Sequence, residues 1–159
     1  MALSNLARLI VSVAICYLAA AIGAMFTFRS VTTWYAALAR PGFAPPNWVF
    51  GPVWTLLYFL MGVSLYLVWS RGTGVPYVRI ALIVFFVQLV LNALWSILFF
   101  GLHSPLAGLV GIALLWLALV LTIFYFWKIS PLAGGLLVPY LLWVSFAGML
   151  NFAIWRLNL

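Results

Sequence analysis

Three stretches of the chain place polar side chains among almost wholly apolar neighbours. Gln88 and Asn92 stand four residues apart, and Trp95 and Phe99 continue that spacing. Tyr140, Trp143, Ala147 and Asn151 repeat the pattern, and Trp54 and Tyr58 form a shorter version of it. Residues three and four apart share one face of an α-helix. Each stretch therefore reads as a helical stripe of aromatics carrying an amide or a hydroxyl. One reading is hydrogen bonding between helices, worth about 0.6 kcal/mol on average in a membrane. The other is a flat, aromatic-walled pocket with a few polar anchors. Three such stripes together favour the pocket, and Ala147 between Trp143 and Asn151 leaves room for a ligand.

Composition narrows the chemistry. The chain has seven Lys and Arg, no Asp or Glu, one His and one Cys. It offers no carboxylate pair for acid–base catalysis and no acidic proton relay. His103 and Cys16 alone are too few for a zinc or haem site, so neither a metal nor a cofactor is expected. His103, beside Ser104-Pro105, reads as a structural turn residue. The cations are dispersed at Arg8, Arg29, Arg40, Arg71, Arg79, Lys128 and Arg156. Each falls near an expected helix end, where long cationic side chains reach lipid headgroups. That dispersal argues against nucleic acid. The unopposed charge favours anionic lipids and anionic amphipathic ligands.

The elements that must hold these residues follow from hydropathy. The chain is 69% hydrophobic and 4% charged, against about 25% charged in a soluble domain. A helix needs about 20 apolar residues to cross the hydrocarbon core. Five runs qualify, at about 6–28, 46–70, 78–100, 105–127 and 132–156. The expected fold is a single all-α domain over 1–159, a bundle of five transmembrane helices in an integral, multi-pass protein. The first run exceeds the ~7–15 apolar residues of a cleavable signal peptide and is expected to remain as a span. Turns of Gly, Pro, Ser and charge separate the later runs, which makes sequential helices antiparallel neighbours. Arg8, Arg71, Arg79 and Lys128 fall on one side and Arg29, Arg40 and Arg156 on the other, a balance too even to set orientation.

One connection is long. Arg29 to Pro45 carries Trp34, Tyr35, Leu38 and Phe43, too apolar for a solvated linker. It is either an interfacial amphipathic segment or a lid over one end of the bundle. The nine tryptophans divide similarly. Trp34, Trp48, Trp69, Trp127 and Trp155 suit an aromatic belt at the interfaces. Trp54, Trp95, Trp116 and Trp143 lie deeper and point to the bundle interior or a cavity. Pro52 and Pro139 each remove a helical hydrogen bond, so kinks are expected near Trp54 and Trp143. Ala107-x-x-x-Gly111 suits close helix packing or a homodimer. The cholesterol-type pattern around Tyr35, Tyr66 and Tyr77 matches too freely to discriminate.

The order of motifs resembles the TspO/MBR family, the bacterial tryptophan-rich sensory proteins and the mitochondrial translocator protein. The resemblance runs through Trp34-Tyr35-Ala36-Ala37-Leu38-Ala39-Arg40-Pro41, Pro45-Pro46-Asn47-Trp48-Val49-Phe50 and Trp54-Thr55-Leu56-Leu57-Tyr58. It continues through Asn92-Ala93-Leu94-Trp95 with Phe99-Phe100, then Pro139-Tyr140-Leu141-Leu142-Trp143, Ala147 and Asn151.

The resemblance implies a five-helix bundle, usually a homodimer, with the first loop covering a pocket. The family's ligands are porphyrins such as protoporphyrin IX, sterols and synthetic benzodiazepine-site compounds. Its role is that of a receptor or translocator with a sensory function in tetrapyrrole or stress metabolism, and a bacterial membrane is the expected setting. Carried over by motif, the pocket residues are Tyr35, Trp54, Asn92, Trp95, Trp143, Ala147 and Asn151; the helix-face pattern adds Tyr58. Arg29 and Arg40 are candidates to pair with porphyrin propionates. Two alternatives stand beside binding. One is a porphyrin-degrading enzyme, for which only redox or photochemistry at Trp54 and Trp143 remains. The other is a structural protein that binds sterol or lipid. The chain departs from the family in having no acidic residue, in Gly42-Phe43, and in lacking a Lys or Arg within five residues after Tyr140.

Overall fold

The computed structural model describes residues 4–159, all helix and connecting loop with no strand among them. The helices are α1 (Asn5–Ser30), α2 (Trp34–Ala37), α3 (Asn47–Trp69), α4 (Val78–Ser96), α5 (Pro105–Ile129), α6 (Pro131–Leu136) and α7 (Val138–Leu157). A π-helical turn, Ile97–Gly101, extends α4. Five helical segments are long and apolar enough to cross a membrane: α1, α3, α4 with its π turn, α5, and α6 with α7. These are the five expected spans, with ends displaced by one or two residues.

Local chemistry sets several starts. Ser4, Ser104 and Ser130 each accept a backbone N–H of the following turn, from Ala7, Ala107 and Ala133. In the last two, proline follows at the first helical position, where its missing N–H costs nothing. Ser104-Pro105 and Ser130-Pro131 are thus helix starts as much as turns. Pro139 likewise sits at the start of α7, and the break expected there is real: Leu137 separates α6 from α7. Pro52 behaves differently. It lies in the second turn of α3, which runs on without interruption.

The spans close into a ring. Beginning at α1, the order is α4, α5, the α6–α7 pair and α3, which packs back on α1. Close approaches depend on small residues, as expected where dispersion rather than hydrophobicity draws helices together. The buried face of α1 carries Ser12, Cys16, Ala19 and Gly23. Gly62 of α3 lies so near that an added Cβ would stand 2.6 Å from Val13 Cα. Gly108 and Gly111 of α5 pack on Phe99 and Leu98 of the π turn. The Ala107-x-x-x-Gly111 pattern thus brackets a contact inside the bundle.

The connection between α1 and α3 folds over one end of the ring. Its Tyr35 is 3% exposed and packs edge-on against Phe99 and at a tilt against Phe100. Trp34 stacks on the His103 ring at 4.8 Å, and His103 Nε2 lies 3.2 Å from Ser30 Oγ. Ser30 donates to the Phe100 carbonyl at 2.8 Å. Farther along, the Asn158 carboxamide holds both backbone groups of Ala39.

Candidate ligand-binding site

A cavity of about 280 Å³ lies beneath this connection, walled by α1, α3, α4 with its π turn, and α7. Its lining is mostly apolar, with aromatic rings on several sides. Trp54 stands 5.6 Å from Tyr58, 6.5 Å from Trp95 and 6.1 Å from Tyr140 by ring centroids. Trp95 stacks on Phe99 at 5.7 Å, inclined by 23°. Of the lining residues, Phe28, Asn47, Gly51 and Thr55 are exposed, and all belong to α1 or α3. The cavity therefore opens sideways between those two helices. Below the opening, Tyr17 Oη donates to the Thr55 carbonyl at 2.9 Å and joins them.

The polar groups of the wall are tied into chains. Tyr58 Oη donates to Asn92 Oδ1, and Asn92 Nδ2 donates to Tyr140 Oη. Tyr140 Oη donates in turn to Gln88 Oε1 at 3.1 Å, and Gln88 Nε2 lies 4.0 Å from Met61 Sδ. All five side chains are buried. The relay links α3, α4 and α7 and leaves neither amide with an empty end. A second chain runs from Trp95 Nε1 to Asn151 Oδ1 at 3.3 Å, and from Asn151 Nδ2 to the Pro105 carbonyl at 2.7 Å. Gly108 makes this possible, because a Cβ there would sit 2.9 Å from Asn151 Oδ1.

Seven residues named from the sequence line the cavity: Tyr35, Trp54, Tyr58, Asn92, Trp95, Ala147 and Asn151. Trp143 is not on its wall. The helical twist of α7 gives the interior positions to Tyr140, Val144 and Ala147, and Trp143 turns against Phe50 and Phe146 at 5.9 and 5.6 Å. Trp54 and Trp143 thus have different aromatic neighbours, and the indole closest to Trp54 is Trp95. Trp116 also leaves the interior: it is 39% exposed, with its N–H on Ser145 Oγ at 2.8 Å.

Both arginines are exposed and absent from the cavity lining. They differ in their contacts: Arg40 touches two lining residues, its guanidinium carbon 5.4 Å from the Tyr35 ring centroid and its Nη1 3.3 Å from Asn47 Oδ1. Burial pushes the Tyr35 phenol above its ordinary pKa, and the Arg40 charge partly offsets this.

Helix-face reading named three walls and missed the fourth, α1. Tyr17, Ala20, Gly23 and Thr27 all line the cavity. The small residues at positions 12, 16, 19 and 23 mark one close-packing face at helical spacing, and of these only Gly23 reaches the cavity. Phe50, an apolar neighbour of Trp54 one turn earlier, was also missed.

Comparison with known proteins identifies the family. The model of the TspO/MBR family matches residues 12–156. The chain is 51% identical to the tryptophan-rich protein TspO of Archaeoglobus fulgidus, over 97% of this chain and 99% of that one. It is 41% identical to the protein CrtK of Rhodobacter capsulatus, over 90% and 88% of the two chains. It is 39% identical to the human translocator protein, over 86% and 82%. With five apolar spans and a family match that takes in every wall of the cavity, this integral, multi-pass membrane protein belongs to the TspO/MBR family.

Proposed function

We propose that this protein is a membrane receptor or translocator that binds porphyrins, or flat lipophilic molecules like them, in the aromatic cavity. The observation that carries the reading is the wall itself: Trp54, Trp95 and Phe99 offer ring faces and edges around a space open to one side. A ligand arriving from lipid gains little from leaving one apolar medium for another. Selection then rests on shape, on aromatic contacts worth about 0.5–1.5 kcal/mol each, and on a few polar groups. The volume of about 280 Å³ lies at the lower end of the ~300–1,000 Å³ usual for small-molecule sites. A tetrapyrrole would therefore enter by one edge, with the rest of the ring between α1 and α3. Relatives named translocator protein and tryptophan-rich sensory protein support a carrier or sensory role.

The test is quenching of tryptophan fluorescence by protoporphyrin IX in purified protein. Trp54→Phe and Trp95→Phe together should remove most of the quenching and weaken binding, whereas Trp143→Phe should change affinity little. Unchanged affinity in the double variant would place the ligand elsewhere.

A further inference from the structure

Four buried side-chain polar atoms have no hydrogen-bond partner among the described residues: Ser12 Oγ, Tyr35 Oη, Ser70 Oγ and Trp143 Nε1. Of these residues only Tyr35 lines the cavity. The contrast with the rest of the wall is informative. Tyr58, Asn92, Trp95 and Asn151 also reach the cavity, yet each spends its polar atoms on another protein group. A phenol that is 3% exposed and leaves its O–H unmatched bears a desolvation cost that a ligand acceptor would relieve.

The missing group must be an acceptor. Tyr35 is surrounded by Phe99, Phe100 and Arg40. The phenylalanines have nothing to accept with, and a guanidinium is a donor only. Arg40 faces the same shortage. Its polar side-chain neighbours are the neutral Asn47 amide at 3.3 Å and the Tyr35 phenol, and the chain holds no Asp or Glu with which to pair it. An O–H donor on the wall and an unneutralised guanidinium at the rim therefore stand side by side, both demanding an anionic oxygen. A carboxylate meets both demands, since each of its oxygens accepts and its charge matches Arg40.

We infer that Tyr35 and Arg40 form a subsite that takes a carboxylate of the ligand at the rim of the cavity. The inference rests on the cavity being the ligand site and adds what that reading leaves open, namely which end of an amphipathic ligand faces the loop. The ligand's apolar body lies on Trp54 and Trp95, and its acid points to the Tyr35 hydroxyl. Arg29, whose side chain has no hydrogen bond or cation–π contact with a lining residue, takes no part.

The experiment titrates the full chain in detergent micelles with protoporphyrin IX, which carries two carboxylates, and with its dimethyl ester, which carries none. Wild-type protein should prefer the diacid. Arg40→Gln should remove most of that preference. Tyr35→Phe, which keeps the ring contacts, should weaken the diacid by about tenfold, the scale of a hydrogen bond to a charged acceptor, and weaken the ester less. Arg29→Gln should match wild type. Equal loss of both ligands in the Tyr35 and Arg40 variants, or no loss of either, overturns the subsite while leaving the cavity as the binding site. If neither ligand binds the wild type, the cavity reading fails and the subsite with it.

Discussion

Asn158 grips Ala39 by both edges of its carboxamide. Oδ1 accepts the Ala39 N–H at 3.0 Å, and Nδ2 donates to the Ala39 carbonyl at 2.9 Å. The same Nδ2 also reaches the Ile154 carbonyl at 2.8 Å. The last turn of α7 thereby fastens the loop that covers the cavity, across 119 residues of sequence. Asn158→Ala should free the Ala39 amide without unfolding the bundle. Hydrogen exchange should speed up in the segment around Ala39 while the thermal unfolding midpoint changes little. Unchanged exchange there would mean that the surrounding apolar contacts hold the loop by themselves.

The Tyr58–Asn92–Tyr140 relay should behave as one unit. Tyr58→Phe deletes a single bond, about 0.6 kcal/mol on the membrane average. Asn92→Leu removes two bonds, leaving Tyr58 without an acceptor and Tyr140 with Gln88 alone, and should cost more, about 1–3 kcal/mol. In the double variant the two losses should fall short of their sum, because Tyr58 has no partner left to lose. Equilibrium unfolding in detergent measures all three, and strict additivity would contradict the relay.

Gly108 and Gly74 make a controlled pair. A Cβ at Gly108 would stand 2.7 Å from Phe99 Cδ2 and 2.9 Å from Asn151 Oδ1, whereas one at Gly74 meets nothing within 4 Å. Gly108→Ala should destabilise by about 1–3 kcal/mol through overpacking, less the roughly 1 kcal/mol that alanine gains over glycine in a helix. It should also disturb the Phe99 and Asn151 wall and weaken ligand binding. Gly74→Ala should stay within about 0.5 kcal/mol of wild type. Comparing unfolding midpoints and ligand affinity of the two variants checks both statements.

Tyr35 should titrate late. Burial holds its phenol above the ordinary value near 10, so the folded state favours the neutral form. The stability this contributes is fully present below the unfolded pKa and is lost as pH rises through the higher folded value. Tyrosinate absorbance should therefore lack one late-rising component in Tyr35→Phe. Loss of an early component instead would reverse the sign.

How much of this was written in the sequence differs from residue to residue. The five spans were legible because nothing but length and hydropathy decides them. The inward faces of Gln88, Asn92, Trp95 and Phe99 were legible too, since a polar group at that depth has nowhere else to go. Trp143 lies off the cavity wall for a geometric reason. It shares a stripe with Tyr140 and Ala147, but the interior is narrower than the stripe, and Val144 takes the adjoining place. The role of α1 was obscured because most of its cavity side chains, Ala20, Gly23, Ala24 and Thr27, are small and mark a cavity by what they leave unfilled. The grip of Asn158 on Ala39 depends on where the end of α7 meets the α1–α3 connection in space, which no local pattern reports.

The direction of the buried relay has a consequence for the membrane that holds it. From Tyr58 through Asn92 and Tyr140 to Gln88, each step passes a donor to an acceptor in one sense, and every second link is a carboxamide. Water and hydroxyl chains conduct protons because each oxygen can accept one proton and release another. An amide does so only through an unfavourable tautomer. Asn92 and Gln88 therefore act as insulators set into a polar seam. They let the seam join α3, α4 and α7 without giving protons an unbroken run of hydroxyls along it.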